Sequence, residues 1–433
     1  MKNLSRRGFI GSGLSLGATV ASLSATSAAP IAKPQKTASE LAADENFWRS
    51  VANHYDVTPG ITNLENGYWG IMAKPVLAEY LRLTNWVNKE NTHFARFDWG
   101  KTYRTLHQTV AEFLGVSVDE IVLTRGATEA LQALIGGYNK LRPGDTVLYA
   151  DLDYSEMKNA MAWLADRRGV NPVRVNFPEP TREKPLTEDD IISFYERALD
   201  SNPGTKLLLL THLNNWTGLI IPVAKIAAMA KARGVDVILD AAHSVGQVDF
   251  SISDMECDFV GVNLHKWVGA PIGCGVIYIR KPRIADIDTY MGRNPGSDRI
   301  TDRIDTGTFN FAAHMAIPAS LEFHKQLGTP AKEARLRYLR DLWVSEARKL
   351  PGLTVLTPDD PQMVAGLTSF RLDGVTSTEA NNALMKQLAE KYGVLTTRRT
   401  GPAAGDCIRV TPSFYNSAED MTKLVQALKQ IAG

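Results

Sequence analysis

Cysteine is scarce: Cys257, Cys274 and Cys407 are the only three in 433 residues. An odd count with no CxxC pair excludes a disulfide scaffold and offers no structural zinc site. An excess of either charge is also lacking, since 48 Lys plus Arg face 47 Asp plus Glu. Neither nucleic acid nor an anionic membrane surface is therefore an expected partner. Beyond the first thirty positions no apolar run reaches the roughly 18 residues that span a bilayer, so no membrane insertion of the mature chain is expected. The phosphate motifs GxxxxGK[ST] and GxGxxG are both missing, which argues against nucleoside triphosphates and dinucleotides. There is no internal repeat and no low-complexity tract. What remains is an ordinary globular composition, 44% apolar and 22% charged, long enough for a large and a smaller domain.

The N-terminus carries its own message. Ser5-Arg6-Arg7-Gly8-Phe9-Ile10 precedes a mildly apolar, small-residue stretch from Gly11 to Leu23, followed by more small residues up to Ala29. This is the layout of a secretory signal, and the arginine pair resembles the twin-arginine export signal. Residues 1–32 are expected to be removed, with cleavage between Ala28 and Ala32, leaving a periplasmic protein. Pro30 to Ala43 reads as a flexible linker, and residues 33–70 as a linker and arm.

From about Arg104 onward, helical patterns of 10–15 residues alternate with short apolar runs. Seven such runs read as strands: 120–123, 146–149, 173–176, 206–211, 236–240, 259–263 and 275–279. That alternation predicts an α/β domain over residues 71–329 with a mostly parallel seven-stranded sheet covered on both faces. A long helix from about Ala331 then opens a smaller C-terminal α+β unit, residues 330–433. Two similar α/β lobes clasping a ligand, as in a non-enzymatic periplasmic binding protein, are the alternative outside the enzymes; the unequal domains disfavour it.

The chemistry-bearing residues lie at strand ends, where ligands bind in doubly wound sheets. Asp240, in Asp240-Ala241-Ala242-His243, closes an apolar strand; a carboxylate there needs a cationic partner. Lys266, in Asn263-Leu264-His265-Lys266-Trp267, follows the next strand and supplies an amine for imine chemistry. Together they suit a protonated pyridine ring, the electron sink of pyridoxal 5′-phosphate (PLP). Arg125-Gly126-Ala127-Thr128-Glu129-Ala130 lies between a strand and a helix. Its small residues and helix N-terminus suit a phosphate. Gly269, Pro271, Gly273 and Gly275 impose a defined path just after the lysine.

Taken in order, RGATEA, HLNNWTG, DAAH, NLHKWVGAPIGCG, Thr306-Gly307-Thr308 and IRVTPSFYN resemble the class V aminotransferases of PLP fold type I. The lysine and glycine stretch is most similar to the isopenicillin-N-epimerase-like branch. The resemblance implies a Schiff base on Lys266, which also moves the Cα proton, and Asp240 on the pyridine nitrogen. It implies Asn215 on the ring oxygen (Asn214 is the competing position), with His243 nearby. Gly126, Ala127 and Thr128 would cradle the phosphate together with Asn263 and His265. Thr308 would reach a partner subunit's phosphate, so a homodimer with shared active sites is implied. Tyr154 would stack on the ring, unless Ser155 is the aligned residue. Arg409 would hold a substrate carboxylate. The activity implied is amino-group chemistry on an amino acid or an amino-containing secreted metabolite or peptide. Aminotransferase is the leading reading, with epimerase or β-lyase as alternatives on the same lysine. The nucleophilic-cysteine loop of the related desulfurases is replaced by residues 399–406, so persulfide chemistry is not expected.

Overall fold

The structure, a computed structural model, describes residues 31, 34–181, 184–305, 307–400 and 402–432. The export signal and its cleavage region up to Pro30 lie outside them, as does Thr306.

Leu207 to Leu210 show why a sheet forms with both faces buried. All four side chains are fully buried, and they alternate between two hydrophobic clusters: Leu207 and Leu209 pack in one, Leu208 and Leu210 in the other. A strand in which every residue is apolar can satisfy both faces only at the centre of a covered sheet. In spatial order the seven strands are Ile121–Thr124, Gly275–Ile279, Phe259–Asn263, Asp236–Asp240, Thr205–Thr211, Thr146–Ala150 and Asn171–Val175. Gly275–Ile279 runs antiparallel to both neighbours, and the other pairs are parallel. The expected α/β, fold type I architecture is thus present, with a single reversed strand inside the sheet.

A second sheet of four antiparallel strands follows, ordered Thr397–Arg399, Cys407–Val410, Thr368–Leu372 and Leu353–Val355. Helices Thr329–Ala347, Thr378–Tyr392 and Ala418–Ala432 cover it, with Trp343, Phe370 and Leu424 in the shared core.

The linker expectation needs correction. Ala38–Ala42 is a helix, closed by a capping box between Thr37 and Glu40, and Leu41 and Ala42 are buried. Arg335 fastens it: the fully buried guanidinium donates to the Ala42 carbonyl (2.9 Å), the Glu45 carboxylate (2.5 Å) and the Asn416 carbonyl (2.9 Å). A Pro/Ala/Lys-rich composition suggested a free tether, but one apolar pair and a buried arginine were enough to dock it. Further along, Thr62–Asn63 pairs in parallel with Val394–Leu395, and Glu65 bridges to Thr411. The chain before the large sheet is therefore laid along the C-terminal sheet, which brings Glu65 to Gly70 to the mouth of the central cavity.

Candidate active site

The carboxyl ends of the central strands open into a cavity of about 350 Å³. Its wall includes Gly126, Ala127, Thr128, Tyr154, Asn215, Asp240, His243, Asn263, His265, Lys266 and Arg409, which is every expected site residue except Thr308. Thr308 is exposed on the surface and does not reach the cavity of its own chain.

Lys266 sits in the turn after Phe259–Asn263. Its Nζ lies 2.8 Å from His243 Nε2. The Trp267 indole N–H, which can only donate, points at His243 Nδ1 at 3.5 Å. A tautomer with the proton on Nε2 satisfies both contacts when the Lys266 amine is uncharged. Burial and the nearby Arg409 and Arg399 push Lys266 down to about 7, against an opposing pull from Asp240. Burial, then Lys266, holds His243 well below the ordinary imidazole value. A neutral histidine beside a half-neutral lysine is the state a nucleophilic, proton-carrying amine needs.

Asp240 ends its strand with the carboxylate buried, and Oδ1 accepts the Ala242 N–H at 2.9 Å. Burial raises its pKa, which marks a carboxylate with too little positive charge around it. A pyridinium would supply the missing charge. Asn215 Oδ1 is buried with no hydrogen-bond partner among the described residues. An orphaned acceptor in a cavity wall calls for a ligand donor. Asn214, by contrast, is engaged within its own turn. Its Oδ1 accepts from Trp216 N (2.8 Å) and Thr217 N (3.0 Å), and its amide nitrogen donates to the Leu152 carbonyl. Tyr154 lines the cavity as the residue before helix Ser155–Arg168, whereas Ser155 begins the helix.

The phosphate end is built by close packing. Helix Ala127–Gly137 starts at Gly126, and first-turn amides have no partner within a helix. Asn263 Oδ1 takes the Ala127 N–H at 2.7 Å, fixing the helix tip against the lysine turn. The third element of the cradle, His265, directs Nδ1 to the Cys274 carbonyl at 2.9 Å. A side chain on Gly275 would meet Gly126 Cα at 2.5 Å, so this glycine lets the reversed strand pass beneath the cradle. Gly70 plays the same part on the other side, because a Cβ there would run into the Lys266 carbonyl. An orphaned acceptor, an undercompensated carboxylate, a helix tip lining the cavity and a depressed lysine together fit PLP.

Two residues that sequence reading did not single out complete the site. Arg399 lines the cavity next to Arg409. It lay in the segment read as a loop, but the hairpin strand extends to it. Thr397 pairs with Arg409 and Arg399 with Cys407, so the two arginines are diagonal neighbours on one face. Glu65 is the other: its carboxylate grips Arg409 Nη2 at 2.6 and 2.9 Å. Nothing in the local sequence links residues 344 positions apart. All three cysteines are buried, and burial pushes Cys407 up to about 11, with its Sγ 3.8 Å from the Trp216 carbonyl.

Comparison with known proteins agrees with this architecture. The chain is 25% identical to isopenicillin N epimerase of Streptomyces clavuligerus over 411 residues, covering 89% of this chain and 98% of that enzyme. A cysteine desulfurase of Serratia proteamaculans is 24% identical over 352 residues, covering 75% and 81%. Among solved structures, the cysteine desulfurase CsdA of Escherichia coli superposes with a TM-score of 0.74 at 19% identity, covering 88% of this chain and 98% of that one. C-DES, solved with glycine covalently linked to its PLP cofactor, gives 0.72 at 22%, covering 86% and 97%. The model of the family described as aminotransferase class-V matches residues 74–424, and the chain belongs to that PLP-dependent family.

Proposed function

We propose that the protein is a PLP enzyme that moves an amino group to or from an amino acid or an amino-containing metabolite or peptide, and that it does so in the periplasm as a homodimer. The observation that carries the reading is the Lys266 amine, depressed to about 7, hydrogen-bonded to a neutral His243 and set beside the buried Asp240. PLP, when bound, withdraws electrons from the bonds at the amino-bearing carbon. The chain's own residues do the rest. Asp240 would keep the ring nitrogen charged, the Asn215 amide would meet the ring oxygen, and the Gly126–Thr128 helix tip with His265 would hold the phosphate. Lys266 takes and returns the proton at the substrate's carbon.

Thr308, exposed and outside its own cavity, is free to complete a partner's site. The export motif in residues 5–10 supports the location, since the twin-arginine route carries folded proteins that can load a cofactor first. Epimerisation is the second reading, favoured by the two epimerase relatives that match 89% of this chain. Desulfuration is disfavoured by the burial of Cys407.

The test begins with an absorbance spectrum of the purified protein. The lysine-bound cofactor gives a yellow band that Lys266→Ala should abolish while the fold persists by circular dichroism. Candidate amino acids are then added singly in deuterated water. Conversion to the pyridoxamine form with release of an oxo acid supports transamination, whereas deuterium incorporation with inversion supports epimerisation. A folded, colourless protein without vitamin B6 sinks both.

A further inference from the structure

Arg409 is the residue expected to bind a substrate carboxylate, yet it is already engaged. Its side chain is 1% exposed. Nη1 donates to the Asn215 carbonyl at 2.9 Å, and Nη2 donates to both oxygens of Glu65. Gly67 presses close by, where even a Cβ would lie 2.6 Å from Nη2. Arg399 differs. Its side chain is 20% exposed and lines the cavity, and its one side-chain hydrogen bond among the described residues runs from Nη2 to Glu65 Oε1 at 3.1 Å. The buried Nε atoms of both arginines have no partner among the described residues, so the difference between them lies in exposure and in their Nη contacts.

Glu65 is held firmly enough to be a fixture. Thr411 N–H donates to the Leu64 carbonyl at 2.7 Å and Asn66 N–H to the Thr411 carbonyl at 3.2 Å, so the backbone on both sides is tied to the C-terminal sheet. Displacing its carboxylate would leave one charge unpaired in a largely buried setting, which is unfavourable. Within this cluster, two guanidiniums and one carboxylate leave a single positive charge, which matches one substrate carboxylate.

We propose that Glu65 is a built-in occupant of Arg409, and that Arg399 is the cation that receives the carboxylate of a monocarboxylate amino substrate. The inference rests on the PLP reading but concerns a different residue. Burial and the neighbouring Arg409 push Arg399 down to about 10, the direction expected of a cation short of an anion.

Two reagents test it without knowledge of the substrate. Aminooxyacetate and O-methylhydroxylamine both displace the lysine from PLP to give an oxime, the Lys266 amine leaving as the new C=N bond forms. Only the first carries a carboxylate. The ratio of their rate constants, followed by loss of the yellow band in the holoenzyme, reads the carboxylate receptor. Arg399→Gln should lower that ratio about tenfold or more, as loss of a charge-assisted bond does; any effect on the Lys266 imine itself is shared by both reagents and cancels in the ratio. Arg399→Lys should recover part of the ratio. Glu65→Gln frees Arg409 and should raise it. An unchanged ratio in a yellow, folded Arg399→Gln protein overturns the assignment. If that variant does not fold, Glu65→Gln decides alone, and an unaltered ratio there is equally fatal. Absence of the band in the wild type would instead reject the PLP reading.

Discussion

The depressed pKa of Lys266 can be measured as a pH profile in cofactor-free protein. An ordinary lysine near 10.4 is uncharged in only about one molecule in 2,500 at pH 7, whereas a pKa of about 7 leaves half the amine with a free lone pair. The sign is fixed by which form reacts: protonated amine cannot attack the PLP aldehyde, so capture should rise with pH and reach half its plateau near 7. Neighbouring charges then move the midpoint in opposite directions. Asp240 stabilises the charged amine, so Asp240→Asn should shift the midpoint lower. Arg399 destabilises it, so Arg399→Gln should shift it higher. The assay is stopped-flow absorbance after mixing cofactor-free protein with PLP, from pH 5.5 to 10 in buffers of constant ionic strength. Free PLP ionises in this range and is corrected with a lysine-peptide control. A midpoint near 10, or shifts of the same sign in both variants, would refute the placement of these three groups around one cavity.

Other consequences follow from packing. Gly70→Ala forces a methyl into the Lys266 carbonyl and should destabilise the fold by about 3 kcal/mol, read as a lower thermal midpoint with weakened PLP retention. Leu208→Ala, at the centre of the covered sheet, should lower stability by about 2–5 kcal/mol in urea titrations without moving the cofactor band. Cys407→Ala should leave amino-group chemistry intact; loss of sulfur release from cysteine in that variant, with wild type active, would restore the desulfurase reading.

Much of the site was legible because it lies at strand ends, where local pattern and chemistry coincide. Asp240 and Lys266 each follow an apolar run that can only be a buried strand, and parallel neighbours place such ends side by side. The RGAT turn announced a helix tip in the same local way. The ends of elements were less legible: the strand carrying Arg399 was taken for a loop. Short polar strands on an edge carry little apolar periodicity, so their registration depends on partners elsewhere in the chain.

The sequence by itself determined the alternation that makes a covered sheet, the positions of the cavity's carboxylate and amine, and the small residues of the phosphate cradle. These are local demands of backbone geometry and burial, satisfied within a few residues. Only the tertiary structure decided that Glu65 occupies Arg409, that Arg399 faces the cavity, and that the early helix at Ala38–Ala42 is docked under Arg335. Each is a pairing of charges or carbonyls across hundreds of positions, and such pairs are chosen by which segments the packed core brings together.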